Sequence, residues 1–157
     1  MKAKDILTAN VATATPETSV EAIAKMLVEH DCGAIPIVKS STSRKPVGIV
    51  TDRDIVCRVV AVGKNPREST AGDCMSSPCV TVTASAHLDV CCTTMEKSRI
   101  RRLVVVDEEG VCCGIVSQAD IARRIADKAG EVVREVSQPT DSASAVAPRE
   151  EHAAVRR

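Results

Sequence analysis

Two stretches of this chain place a hydroxyl and a carboxylate where they could share one polar ligand. They are Gly48-Ile49-Val50-Thr51-Asp52-Arg53-Asp54-Ile55 and Gly114-Ile115-Val116-Ser117-Gln118-Ala119-Asp120-Ile121. In each, an apolar run leads into Thr51-x-x-Asp54 or Ser117-x-x-Asp120. If a helix starts at the hydroxyl, the acid three residues on shares its face. A carboxylate there can accept both hydroxyls of a vicinal diol such as that of a ribose, with the Thr or Ser hydroxyl taking part. The preceding glycine lets backbone come close to a ligand. An ordinary helix start uses the same residue types at the same spacing, as a cap. What argues for more than a cap is that both stretches keep the pair, and both place it after the same Gly-Ile-Val run.

Other residues with chemical potential are fewer. Arg99, Arg101 and Arg102 form a local basic cluster, and Arg53 stands beside Asp54. Arginine's planar fork suits phosphate, while a solvated loop and strand edge is the plain alternative. His30, His87 and His152 have no Ser or Cys placed to make them a base, so no catalytic constellation is expected. The acids lack the clustering of a metal site. The eight cysteines contain no C-x-x-C pair, and the histidines do not fall at zinc-finger spacing. Cys91 and Cys92 fall on a helix face expected to be buried, so the cysteines read as small hydrophobes. A redox or metal-responsive role is the alternative.

The elements that must position these groups come in the same order twice. Val11 to Val38 aligns with Cys79 to Val106 without a gap, and Ala3-Lys4-Asp5-Ile6-Leu7 faces Ala71-Gly72-Asp73-Cys74-Met75. Such a repeat usually settles the architecture. Val11 to Thr15 and Cys79 to Thr83 read as strand starts. Thr18-Ser19-Val20-Glu21 reads as a capping box. Val20, Ile23, Ala24 and Leu27 recur at helical spacing, and Leu88, Cys91, Cys92 and Met95 replace them in the second copy. Ala34 to Val38 and Leu103 to Val106 have strand length. Val47 to Val50 and Val111 to Val116 supply the next strand, and a helix opened by Thr51 or Ser117 closes each unit. The predicted order is β-α-β-β-α, twice.

This order resembles the tandem cystathionine-β-synthase-type repeat, the CBS domain pair or Bateman module. The resemblance rests on Gly-Ile-Val-[Thr/Ser]-x-x-Asp-Ile in both copies, the leading Asp5-Ile6-Leu7, and the segments Glu29 to Val38 and Ile100 to Val106. It covers roughly residues 3 to 128. The segment from Thr51 to Asp73 is also similar to the small stand-alone bacterial members, including the hypoxic-response type. The resemblance implies an α/β (α+β) fold of two repeats related by pseudo-two-fold symmetry, with 1–66 as repeat one and its lead-in and 67–130 as repeat two. Residues 131–157 are expected to form a helix extension and a mobile tail.

The same resemblance implies that Thr51, Asp54, Ser117 and Asp120 line clefts for an adenine nucleotide as regulatory ligand, AMP, ADP or ATP. Phosphate contacts would come from Arg101, Arg102 or Arg53, and apolar walls from Ile35, Pro36, Leu103, Val104, Val11 to Thr13 and Cys79 to Thr81. Repeat one has Gly33 and Ala34 where repeat two has Arg101 and Arg102, so one competent cleft and one weak or empty cleft are expected. Which Thr/Ser-x-x-Asp motif shares a cleft with the arginines is open at this point. The helices 54–62 and 120–129 are expected to expose Ile55, Val59, Ile121 and Ile125, and the resemblance implies that such helices pair in a homodimer, a disc of four repeats. Output would pass to an unidentified effector protein or to a change in assembly. The alternative is a structural or interaction module that binds no ligand.

Composition bounds these readings. The chain has 157 residues, 44% hydrophobic, and not one Phe, Tyr or Trp. Aliphatic side chains and cysteine must therefore fill the interior, at about 1.5–3 kcal/mol for each large side chain fully buried. Any bound base has no ring to stack on. The 21 basic and 21 acidic residues cancel, which argues against a nucleic-acid binder needing a net basic face. No apolar run is long enough to span a bilayer and no secretory apolar segment follows Met1. The expected location is cytoplasmic, with thiols reduced.

Overall fold

The computed structural model describes residues 1–124 together with 133, 134, 136 and 137. After a 3-10 turn (Ala3–Asp5) come β1 (Thr8–Ala9), α1 (Val20–Glu29), β2 (Ala34–Val38), β3 (Pro46–Thr51) and α2 (Asp52–Ile55). α2 runs on as one wider π turn over Val56–Val60. The second half adds α3 (Ala71–Cys74), β4 (Thr81–Thr83), α4 (Leu88–Ser98), β5 (Arg102–Val106), β6 (Cys112–Ser117) and α5 (Gln118–Arg124). The rest of the expected extension and tail, with Ile125, lies outside the described residues.

β2 and β3 pair antiparallel as a hairpin, and β5 and β6 form its counterpart. β4 joins β5 in parallel and β1 joins β6 antiparallel, giving the order β1-β6-β5-β4. The strand expected over Val11 to Thr15 is reduced to a single parallel bridge, Ala14 to Ile37. The reason is covalent. Ala14 N donates to Pro36 O at 3.1 Å and Val38 N to Ala14 O at 2.8 Å. The next rung needs the amide of residue 36, and proline has none. Val104 stands at the matching position of repeat two, where Thr81–Thr83 pairs fully with Val104 to Val106.

Helix starts also differ in detail from the expected box. Ser19, not Thr18, caps α1, its Oγ accepting from Ala22 N at 3.2 Å. Thr18 instead accepts from Thr15 N at 3.1 Å. Glu21 does not reach back; it pairs with Lys25 and Arg67, each at 3.4 Å.

The lead-ins cross over. Ala3 and Ile6 are buried in the core of repeat two, while Ala71 and Cys74 are buried in that of repeat one. Backbone bonds fix the exchange: Ala3 N donates to Ala86 O at 2.9 Å, and Ala71 N to Thr18 O at 2.8 Å. β1 lies on β6, and Ser76 bridges Ile49 in the equivalent place. Gly114 and Gly48 are therefore where the chain itself comes close. A Cβ on Gly114 would overlap Thr8 O and stand 2.7 Å from Leu7 Cδ1; one on Gly48 would stand 2.6 Å from Met75 Sδ and 3.0 Å from Ser76 O. The glycines expected to admit a ligand admit the lead-in segments.

Each repeat has its own aliphatic core. Val20, Ile23, Ile35, Ile37, Val50 and Val59 anchor the first, and Leu88, Cys91, Met95, Leu103, Val105 and Ile121 the second. Val38, Val104 and Cys112, with Val11, Ile49 and Cys79, join the two. Cys74, Cys91, Cys92 and Cys112 are buried, Cys79 and Cys113 pack against the cores, and among the described residues no cysteine is in a disulfide, so six of the eight behave as small core residues. The expected exposed faces are corrected. Ile55, Val59 and Ile121 point into the cores, and in the segment that continues α2 it is Val56, Val60 and Val62 that are left in solvent. The helix after each β-hairpin turns its isoleucines inward because the hairpin it leaves is one wall of that core.

Candidate functional site

Ser117 ends β6, and Asp120 sits in the first turn of α5, which places hydroxyl and carboxylate together. Ser117 N and Ser117 Oγ both donate to Asp120 Oδ2, at 2.8 and 2.6 Å, and Asp120 N donates to Ser117 Oγ at 3.2 Å. Asp120 is only 8% exposed. Its other oxygen, Oδ1, accepts from Arg123 Nη2. Repeat one builds the same box. Thr51 N and Oγ1 donate to Asp54 Oδ2 at 2.8 and 2.7 Å. Here the free oxygen faces Arg58, 3.4 Å away, whose Nη1 also donates to Cys74 O at 2.8 Å and Ser76 Oγ at 3.3 Å.

A third box shows that such geometry alone is not a site. Thr70 N and Oγ1 donate to Asp73 Oδ2 at 2.7 and 3.1 Å at an exposed helix start. Those bonds, the backbone one foremost, hold the Asp73 carboxyl below its ordinary range. What sets Ser117 and Asp120 apart is the space they face. A cleft of about 600 Å³ opens there, lined by both repeats. The start of α5 supplies Ser117, Gln118, Asp120 and Arg123, and the approach to β5 supplies Arg101 and Arg102. Repeat one contributes His30, Cys32, Gly33, Ala34, Ile35 and Asp52, while the lead-in contributes Thr8 to Ala12.

Of the residues singled out from sequence, Ser117, Asp120, Arg101, Arg102 and Ile35 meet in this cleft, as does Val11. The open question is answered: the arginines share a cleft with the motif of their own repeat. Thr51, Asp54, Arg53, Pro36, Thr13 and Thr81 do not line it. Thr51 and Asp54 open α2, Arg53 and Thr81 are exposed, Pro36 is buried within β2, and Thr13 is half-buried next to Ala12. Leu103 and Val104 are buried in the cores, not in a cleft wall.

Arg102 reaches its place because position 33 is glycine. A Cβ there would overlap Arg102 Nη2 and stand 3.2 Å from Cζ and 3.5 Å from Asp52 Oδ2. Among the described residues, neither Arg101 nor Arg102 has an ion-pair partner. Sequence reasoning missed Arg123, Asp52 and Gln118. Arg123 could have been found one helical turn past Asp120, on the same face. Asp52 comes in only through the packing of one repeat on the other, which no local pattern encodes.

The fold and both copies of the motif define the class. The CBS domain model matches residues 3–61 and 71–127, and the chain belongs to the CBS domain family, carrying the domain twice. It is 34% identical over 143 residues to hypoxic response protein 1 of Mycobacterium tuberculosis, covering 90% of this chain and 98% of that protein. It is 42% identical over 113 residues to an uncharacterized protein of Methanopyrus kandleri, covering 71% of this chain but 56% of that protein's length. The crystal structure of Hypoxic Response Protein I with two coordinated zinc ions matches with a TM-score of 0.71 at 36% identity, over 80% of this chain and 99% of that one. The CBS domain pair of protein MJ0100, in complex with 5′-methylthioadenosine and S-adenosylmethionine, matches with a TM-score of 0.70 at 31% identity, over 82% and 98%. Among the described residues, no three His, Cys, Asp or Glu side chains come together as a metal-binding group.

Proposed function

We propose that this CBS pair is a non-catalytic regulatory module that binds an adenosine nucleotide in the Ser117–Asp120 cleft. One observation carries the reading: a buried carboxylate with a hydroxyl beside it shares a cleft with two arginines that have no ion-pair partner among the described residues. The ribose diol donates to Asp120 Oδ1, taking the place that Arg123 holds. The released Arg123, with Arg101 and Arg102, then meets the phosphates. With no aromatic residue in the chain, Val11, Ala12, Ala34, Ile35 and Ile115 wall the base. The adenosine ligands on the MJ0100 pair support the ligand class. In repeat one, Arg58 bridges Asp54 to Cys74 and Ser76, which leaves that motif the weaker site.

The cleft is made by both repeats, so occupancy favours the arrangement of repeats that closes on the ligand, by its differential affinity. Output passes to a separate protein or to assembly. The exposed Val56, Val60 and Val62 offer a face for a homodimer, and a hexameric CBS-CP12 protein shows assembly in a relative at 29% identity. Among the described residues, no helix is long and apolar enough to cross a membrane, which fits the cytoplasmic reading.

The test is thermal unfolding with and without AMP, ADP, ATP and S-adenosylmethionine, alongside Asp120→Ala and Asp54→Ala. A ligand at about 100 times its dissociation constant adds about 2.7 kcal/mol, or roughly 5–11 °C for a chain of this length. Stabilisation lost in Asp120→Ala and kept in Asp54→Ala supports the reading. No shift with any of the four points to the second reading, a ligand-free interaction module. One observation favours that one: Asp120 is already fully bonded by Ser117 and Arg123.

A further inference from the structure

The wall that repeat one gives the cleft holds one acid, Asp52, and it stands beside an arginine of repeat two. Asp52 is the first residue of α2 and is exposed. Its Oδ1 accepts from Arg53 N at 2.8 Å, which fixes the carboxylate at the helix start. Its Oδ2 comes near Arg102 over Gly33. A Cβ on Gly33 would stand 3.5 Å from Asp52 Oδ2 and 3.2 Å from Arg102 Cζ, so the two charged groups are no farther apart than those distances together. Even so, no ion pair joins them. The aligned position of repeat two is Gln118, which carries no charge. Repeat one alone therefore sets a negative charge next to the arginines that the phosphates need.

We infer that Asp52 is a specificity-determining residue for phosphate charge, biasing the cleft towards a nucleoside monophosphate over the triphosphate. The inference rests on the adenosine-nucleotide reading above. A phosphate held by the Arg102 guanidinium also lies near the Asp52 carboxylate, because one point over Gly33 is close to both. The arginines attract every phosphate and Asp52 repels every one, so the repulsion grows with the number of charges the ligand brings. Two unit charges about 7 Å apart change a binding constant about threefold in water, and more where a cleft excludes it. The extra charges of a triphosphate sit farther out and salt screens them. Neutralising Asp52 therefore shifts the ratio of triphosphate to monophosphate affinity by about three- to tenfold at low salt.

The experiment is calorimetric titration of the full chain with AMP and ATP, free of divalent cations, at about 0.01 M and about 0.15 M salt. The proteins are wild type, Asp52→Asn, Asp52→Glu and Glu109→Gln. Asparagine keeps the acceptor for Arg53 N without the charge, glutamate keeps the charge, and Glu109→Gln removes an exposed acid outside the cleft. In Asp52→Asn, ATP gains about three- to tenfold more affinity than AMP at the lower salt, and the gain shrinks at the higher. Asp52→Glu and Glu109→Gln keep the wild-type ratio within about twofold. An unchanged ratio in Asp52→Asn, with both nucleotides still bound, overturns the inference while the nucleotide reading stands. An equal shift in Glu109→Gln overturns it too, since net charge and not the place of Asp52 would then decide. If Asp52→Asn melts lower with the ratio unchanged, the carboxylate serves only the helix start and the inference fails. Binding of neither nucleotide to any of the four proteins overturns the nucleotide reading and this inference with it.

Discussion

Replacing Gly114 by alanine tests the crossed lead-in, on which the cleft depends. The new Cβ would overlap the Thr8 carbonyl and stand 2.7 Å from Leu7 Cδ1. The leucine can swing away, but Thr8 O is backbone, held by a two-residue strand paired to Ile115 and Gly114. β1 must therefore lift from β6. Overpacking of this kind costs about 1–3 kcal/mol, which for a chain of this length lowers Tm by roughly 2–12 °C. Gly48→Ala is the internal comparison. There the closest atom is the flexible Met75 Sδ, and backbone Ser76 O stands off at 3.0 Å, so the loss is smaller. Since Thr8 to Ala12 form one side of the cleft, Gly114→Ala also weakens ligand binding. Circular-dichroism melting and hydrogen exchange over residues 2–9 read both effects. A Gly114→Ala protein that melts within about 1 °C of wild type, or no worse than Gly48→Ala, refutes the reasoning.

Further outcomes follow from burial and charge. Ile23 is fully buried in repeat one, so Ile23→Ala costs about 2–5 kcal/mol in denaturant melts, while Val28→Ala, at 81% exposure, stays within about 0.5 kcal/mol. Burial first, then neighbouring cysteines, pushes the Cys79 and Cys91 thiols from 9.0 up to about 11. A raised folded value means stability complete below pH 9 and lost as pH rises towards 11; melting across that range shows the decline, shallower in Cys91→Ala. The exposed Cys32 and Cys57 alkylate first in the native protein at neutral pH, and equal labelling of Cys91 or Cys92 would overturn the core placement. Asp73 titrates below its ordinary value because Thr70 bonds to it, so its contribution is present at neutral pH and lost as pH falls through that lowered value. Thr70→Ala moves the Asp73 titration upward, as NMR would show.

Much of the scaffold was legible because it is local. Helices α1 and α4 follow the spacing of Val20, Ile23 and Leu27 and of Leu88, Cys91 and Met95, and the hairpin strands follow short apolar runs between turns. The Ser117–Asp120 pairing with Arg101 and Arg102 was legible as residue types, but not as one cleft, because that depends on how the repeats pack. The exchange of lead-ins was hidden for the same reason: it joins Ala3 to Ala86, more than half the chain apart. Val11 to Thr15 failed as a strand through a property of its partner, the missing amide of Pro36. Ile55, Val59 and Ile121 were assigned outward because helical spacing fixes which residues share a face, but not which way that face turns.

The most direct measurement of the central claim is titration calorimetry of the purified chain with ATP and AMP, for wild type, Asp120→Asn and Asp54→Asn. One nucleotide is expected to bind per chain, with binding abolished by Asp120→Asn and retained by Asp54→Asn. Binding that survives Asp120→Asn, or that is lost only in Asp54→Asn, would contradict it, as would no heat with either nucleotide.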